Sequence, residues 1–454
     1  VGLSLLKFTS YIPEVKLLAE SRGIMGPEEI VAYGANACIK KEDPITLYEK
    51  HISEKRDIDE FIDRVLNITI KSGHLSVLDQ VSFTFILRNI PRIATLFMVT
   101  PVFLSHLQQS MRSVEPYGYY TPDELNDVGL LDEYKCIMND SLKFYYKLVN
   151  SGVPKEDARY VIPLNTVTNI QTSGNGRAFT HLHLMSKDEG IPSITRRIID
   201  DIWGILTSKF PKLFMDRETN RVRHRYYPSP QLFSKRLNWI YNDEFRETIN
   251  AKLVSHHEPI KATEEDIKNA LVNGDEYILN ILKYMEYGFL IKVSLTTLHQ
   301  VLRQRTWWHV VEPIYHAINK RLEYVVPPEI KRRGLESSFC KQVERQYYFY
   351  HKCMDRGMDM SNAVGVIAHA HTIYDFIKVD GWNVVGALPL RRCLRAQWEI
   401  RYIANIINNY ISRINPELSQ YSSPSCVVFG ICPEKYPCDQ KEIFLSREPI
   451  VRRE

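Results

Sequence analysis

Thr100-Pro-Val-Phe-Leu-Ser105-His-Leu-Gln-Gln-Ser110-Met-Arg112 and Arg303-Gln-Arg-Thr-Trp-Trp308-His-Val-Val-Glu-Pro313-Ile-Tyr315 follow one spacing and fill it differently. With Thr100 and Arg303 as matching origins, the first stretch carries Ser105, Ser110 and Arg112 at offsets of five, ten and twelve, where the second carries Trp308, Pro313 and Tyr315. The second in turn carries Arg303, Gln304 and Arg305 where the first has Thr100, Pro101 and Val102. Each stretch keeps half of a basic and hydroxyl pattern, and the halves are complementary, so the chain reads as a duplication. At 454 residues it exceeds what one hydrophobic core organises, and two domains of about two hundred residues each are expected.

The surroundings repeat in one order. Residues 15–72 read as helical, with Pro27 opening one helix and the charged run from Lys50 to Asp63 continuing into Val65, Leu66 and Ile68 until Gly73 stops it. Val81, Phe83, Phe85 and Leu87 then alternate with Ser82, Thr84 and Ile86, a period of two that predicts a strand with one buried face. Pro91 opens a helix over residues 93–99, where a missing amide costs least, and Pro101 interrupts it before Ser105. In the second copy Leu295, Leu298 and Leu302 mark the buried stripe of a helix that carries Arg303 and Arg305 near its C-terminal end. Residues 1–205 form copy one and 233–416 copy two. Residues 206–232, with Pro211, Pro228 and Pro230 among many charges, form the linker, and 417–454 a Ser-, Pro- and Cys-rich tail.

Composition narrows the function classes. With 44% hydrophobic and 25% charged residues the chain is globular, and no apolar run approaches the roughly 20 residues of a membrane span. Val1 to Leu6 lacks a basic flank and a cleavage site and reads as a first strand, not a secretory signal, so a cytoplasmic protein is expected. A net charge of +4 is mild for this length and gives no reason to expect a nucleic-acid partner. The eight cysteines form no dense framework, which fits a reducing compartment. Cys426, Cys432 and Cys438 are the only cluster; a metal site usually needs a fourth ligand and tighter pairs, so none is expected there.

Four further segments carry a family resemblance. Ser72-Gly-His-Leu-Ser-Val-Leu-Asp-Gln-Val-Ser-Phe-Thr-Phe-Ile86 resembles the GHxSVLEHxSFTF segment of the flavin-dependent thymidylate synthases, the ThyX family. Asp157-Ala-Arg-Tyr-Val-Ile-Pro163 resembles its xARxVLP, Asn175-Gly-Arg-Ala-Phe-Thr-His-Leu182 its NxRxLLHF, and Arg395-Ala-Gln-Trp-Glu-Ile-Arg401 its HAQWEIR. The spacing shared by Thr100 and Arg303 is similar to the family signature RHRxxSxxxxSxR. The resemblance implies an α+β fold, two tandem domains each with a small, mainly antiparallel sheet packed with long helices. It implies reductive methylation of dUMP to dTMP with FAD as cofactor and with methylenetetrahydrofolate and NADPH as co-substrates.

Carried over position by position, the resemblance assigns His74, Ser76, Asp79, Asn175, Arg177 and His181 of copy one to flavin, and Gln108, Ser110, Arg112 and Arg159 to the nucleotide. In copy two Gln300 and Arg303 fall to the nucleotide, Arg303, Gln304 and Arg305 to flavin, and Arg391 to the uracil as the catalytic group. Ser186 is the copy-one counterpart of Arg391, while Val364 and Val385 are read as the copy-two counterparts of Arg159 and Arg177. The chemistry suits these types: arginine grips a phosphate dianion through paired hydrogen bonds, and a guanidinium beside a carbonyl stabilises negative charge developing on uracil. Gln304 departs from the family's middle histidine. Because the family builds its site between subunits of a homotetramer, a homodimer of this duplicated chain would imitate that assembly with half the sites complete. The alternatives are an inactive relative that keeps the fold and nucleotide or flavin binding, and a structural or nucleic-acid partner with no small-molecule site.

Other features read as bland. Arg223-His224-Arg225 is a chance echo of the signature, with Ser229 one residue out of phase. Trp307 and Trp308 are core or interface aromatics, Gln346 to His351 is a buried helix edge, and His181 and His183 lie on different helix faces and share no metal.

Overall fold

The computed structural model describes residues 7–214, 226–241, 245–260 and 262–451. Val1 to Leu6 and Arg223-His224-Arg225 lie outside the described residues. Copy one contributes a sheet of β1 (Glu14–Glu20), β2 (Ser82–Pro91), β3 (Leu104–Gln108) and β4 (Val167–Asn175) in the spatial order β1-β2-β4-β3, every pairing antiparallel. Copy two repeats it with β5 (Asn250–His257), β6 (Glu286–Ser294), β7 (Trp308–Val311) and β8 (Thr372–Asp380) in the order β5-β6-β8-β7. Even a defect is copied: the edge strand slips by a residue between Leu17 and Ala19 in one sheet and between Leu253 and Ser255 in the other. The α+β fold and the duplication follow directly.

The alternation at β2 holds. Phe83, Phe85 and Leu87 are fully buried, and Phe83 and Phe85 both pack edge-on against Phe179. The helical reading of residues 15–72 needs correction. Helices run over α1 (Pro27–Ala37), α2 (Pro44–Ser53) and α3 (Ile58–Lys71), but Glu14–Glu20 is the strand β1. Leu17, Leu18, Ala19 and Glu20 are good helix formers, and pairing with β2 overrides that preference. On α3 the buried stripe is Phe61, Ile62, Val65, Leu66 and Ile70, while Ile68 is exposed.

Two compact units emerge, and they do not follow the sequence segments. The first holds residues 1–229, 233–235 and 333–368; the second holds 230–232, 236–332 and 369–454. The first unit therefore includes copy-two residues. Its helix α4 (Leu131–Asn150) packs on α5 (Glu336–Asp355), its counterpart in the second copy, where Gln342 and Gln346 both donate to the buried Ser141 hydroxyl at 2.8 Å. Next to it the Leu164 amide donates to the Ile367 carbonyl at 2.9 Å and Pro163 bridges Ala368. Gly365 is required there, since a Cβ would meet the Asn165 amide at 2.2 Å. The run Gln346 to His351 lies on α5, with Gln346, Phe349 and Tyr350 buried and Tyr348 exposed. Among the described residues no helix is long and apolar enough to cross a membrane.

Candidate functional site

In the first unit the residues expected to hold the nucleotide stand at and beyond the end of β3. Gln108, on that strand, donates to the Thr95 hydroxyl at 3.1 Å, while its own Oε1 is buried with no partner among the described residues. Ser110 opens a turn, its hydroxyl accepting from the Arg112 amide at 3.2 Å. Glu156 joins the two arginines: its carboxylate pairs with Arg112 Nε at 2.9 Å, and its carbonyl accepts from Arg159 Nε at 3.1 Å. Arg159 is buried.

Three residues here carry no motif signal. Glu156 is one. Arg92 is buried and reaches the Gln109 carbonyl and the Thr168 hydroxyl. Tyr145 lies within the electrostatic reach of both Arg159 and Arg92, its hydroxyl buried without a partner among the described residues and its phenol pushed well up, by burial first and then by Glu115. A buried polar atom left unsatisfied is costly, and beside two arginines it suits an anionic ligand.

The residues expected to hold flavin gather around the start of the helix α6 (Gly176–Ser186). Asn175 caps it, accepting from the Ala178 amide at 2.7 Å, and Arg177 reaches Asp79 at 3.4 Å. Asp79 Oδ1 and Arg177 Nε are buried and have no hydrogen-bond partner among the described residues. Tyr226, from the segment expected to be linker, lies over this group. Its ring stacks on Phe103 at 4.3 Å and sits 4.2 Å from the Arg177 guanidinium, and its hydroxyl accepts from Asn175 at 3.4 Å. The Tyr226 amide donates to His181 Nδ1 at 3.3 Å, and Ser229 meets His181 Nε2 at 3.2 Å. His74 and Ser76 stay exposed at the head of the 3-10 helix Leu75–Gln80. His183 is buried and stacks on Trp203.

In the second unit the helix α7 (Leu295–Val301) ends two residues before Arg303, so the arginines stand in the turn after it and not on its last residues; Leu302 caps the helix. Three helices follow further along the chain: α8 (Gly381–Gly386), α9 (Leu388–Arg392) and α10 (Trp398–Ile414). Arg391, half-buried on α9, has its pKa held below the usual arginine range by burial and then by Arg303. Arg303 opens partly to solvent, yet enough protein crowds its guanidinium to lower it too. Two guanidinium groups close enough to disfavour each other's charge favour an anion. With its amide oxygen turned toward Arg391, Gln304 accepts from Nε at 2.8 Å and from an Nη. Gln300 donates to the Thr296 carbonyl at 3.4 Å, and Arg305 is exposed.

The HAQWEIR-like segment begins α10. Glu399 is fully buried and accepts from the Ser294 amide and hydroxyl, both at 2.7 Å, which ties α10 to the start of α7. Trp398 and Arg401 help wall a cavity of about 590 Å³ with Tyr324, Tyr402 and Lys331. Trp307 is buried, and Trp308 is exposed under the Lys378 ammonium.

The erased positions are spent on the fold. Thr100 donates to the Phe97 carbonyl at 2.8 Å and Ser186 to the His183 carbonyl at 2.7 Å, and both are buried. Tyr315 is core. Val364 opens the 3-10 turn Val364–Val366 as Arg159 opens Arg159–Val161. The counterpart of Arg177 needs correction: Asn175 and Asp380 are matching helix caps, which sets Trp382, not Val385, at that position.

A repeated α+β unit with surviving basic clusters in both repeats defines a tandem-duplicated protein. The model of the Thy1 family, thymidylate synthase complementing protein, matches residues 17–212 and again 222–417, so the chain belongs to that family twice over. It is similar to the flavin-dependent thymidylate synthase of Saccharolobus solfataricus, 28% identical over 237 residues, 50% of this chain and 87% of that protein. The Geobacter sulfurreducens enzyme is 29% identical over 195 residues, 42% of this chain and 82% of its own. The Sulfolobus acidocaldarius enzyme is 29% identical over 165 residues, 36% of this chain and 62% of that protein. Among solved structures, the UMP/dUMP methylase PolB from Streptomyces cacaoi bound with 5-Br dUMP is similar over 46% of this chain and 95% of its own, at 16% identity and a TM-score of 0.39.

Proposed function

We propose that the chain is a flavin-dependent thymidylate synthase that methylates dUMP to dTMP at a composite site drawing on both copies, within a homodimer. The observation that carries this reading is that anion-seeking groups survive in complementary halves: Ser110, Arg112 and Arg159 in the first unit, Arg303 and Arg391 in the second. Arg112, Arg159 and Ser110, with Gln108 and Gln300, hold the nucleotide, its phosphate on the arginines. Arg391 stabilises charge on the uracil carbonyl, and Gln304, replacing the family's histidine, fixes the orientation of that guanidinium. His74, Ser76, Asp79, Asn175, Arg177 and His181 hold FAD together with Arg303, Gln304 and Arg305; Asp79 Oδ1 and Arg177 Nε, with no hydrogen-bond partner among the described residues, fit such a group. When bound, the flavin supplies hydride transfer, with NADPH as donor and methylenetetrahydrofolate as carbon source.

The second reading, an inactive relative, is favoured by Tyr226, which occupies the contacts of Asn175, Arg177 and His181. Reduced flavin on the purified protein separates the two. The synthase reading expects methylenetetrahydrofolate to oxidise it only when dUMP is present. In the inactive relative dUMP shifts the melting temperature and no dTMP forms. A colourless protein that binds neither ligand ends both.

A further inference from the structure

Cys393, Cys426, Cys432 and Cys438 line one cavity of about 220 Å³ in the second unit. Three of these thiols form the sequence cluster. The fourth, Cys393, comes from the turn after α9, two residues beyond Arg391. All four are free thiols. The Arg395 amide donates to Cys393 Sγ at 3.5 Å, the kind of hydrogen bond that tunes a metal-bound thiolate. Arg392, Arg395 and Lys441 stand at the rim against one acid, Glu434, so the cavity favours negative charge such as a four-thiolate centre carries.

The segment these cysteines gather has little else to hold it. Of residues 423–451 only Val428 and Val451 are buried. So small a core cannot fix a peptide of this length, and short modules of this kind are commonly stapled by a metal or disulfides. The five-residue gaps between Cys426, Cys432 and Cys438 are wider than the paired spacings of zinc sites and of iron–sulfur motifs alike, so a cluster is favoured by the cavity, which at about 220 Å³ is roomier than one ion needs. Among the described residues no three donors already stand arranged around an ion. Binding must therefore draw the thiols inward from the helix Ser425–Val428, which carries Cys426, and from the irregular segments around it.

We propose that Cys393, Cys426, Cys432 and Cys438 bind a thiolate-ligated metal centre, an iron–sulfur cluster, that staples the C-terminal segment to the turn carrying Arg391. The inference is independent of the catalytic reading. The full chain, purified without oxygen and reconstituted separately with ferrous and ferric iron in equal amounts plus sulfide and with zinc, is assayed for iron, sulfide and zinc and by electron paramagnetic resonance after reduction, which flavin colour does not mask. The expected result is about four irons and four sulfides per chain, lost in Cys426→Ser and Cys432→Ser and kept in Cys38→Ser. About one zinc per chain with the same dependence assigns the four-thiolate site to zinc instead and overturns the cluster. Because a cysteine variant can misfold, the wild-type chain is also chelated: removal of the metal must expose residues 423–451 to protease. Reconstituted wild-type protein holding no more metal than Cys426→Ser, with protease sensitivity unchanged by chelation, overturns the proposal.

Discussion

Glu156 sets the resting state of Arg112 and Arg159, since its carboxylate neutralises Arg112 and its carbonyl anchors Arg159. A phosphate arriving at Arg112 must displace that carboxylate. Glu156→Gln should therefore tighten dUMP binding, by up to about fivefold if the half-exposed pair is worth up to about 1 kcal/mol; calorimetric titration checks it, and weaker binding would count against Arg112 as the phosphate ligand. Arg112 and Arg303 were legible because the signature spacing marks them. Glu156, Arg92 and Tyr145 were not, because they sit at no motif offset and become neighbours only through folding. His371 makes a separate, testable point about pH. Burial, then Arg321, lowers its pKa from 6.5 to about 3. As pH falls below 6.5 the unfolded chain takes up a proton the folded chain refuses, so stability drops toward pH 3. His371→Gln should flatten that acid limb in urea melts recorded across pH, and an unchanged slope would rule out His371 as its source.

At the scale of elements, the segment from Tyr226 to Ser229 is the least expected piece. Its proline and charge content reads as linker, yet it clasps Phe103, Asn175, Arg177 and His181. If those residues receive flavin, Tyr226 must leave or restack. Tyr226→Ala should then raise FAD affinity, roughly tenfold if about 1.4 kcal/mol of stacking and hydrogen bonding is released. Fluorescence quenching of FAD measures this, and a loss of affinity would instead make Tyr226 a flavin-stacking residue. The strand β2 was legible from its period of two, whereas β1 was not, because Leu17, Leu18 and Ala19 favour helix until a partner strand is present. The end of α7 fell two residues early for a related reason: the leucine stripe marks the buried face and carries no stop signal.

For the whole molecule, duplication explains why half-erased patterns persist. A repeat freed from one half of a site can spend those positions on its own fold, as Thr100, Ser186 and Tyr315 do. The repeat itself was readable from spacing alone. The gathering of α5 into the first unit was not, because it depends on surface matching between Ser141, Gln342 and Gln346 that no periodicity encodes. In the composite site the surviving halves would serve one nucleotide. That sharing is tested most directly by titrating dUMP into Arg112→Ala, into Arg303→Ala and into an equal mixture of the two after subunit exchange. Each variant alone should bind at least tenfold more weakly, for about 1.5–3 kcal/mol of lost charge-assisted hydrogen bonding, and the mixture should regain part of the wild-type binding. Wild-type affinity in either single variant would contradict the account, and a mixture no better than its components would refute sharing of the site between chains.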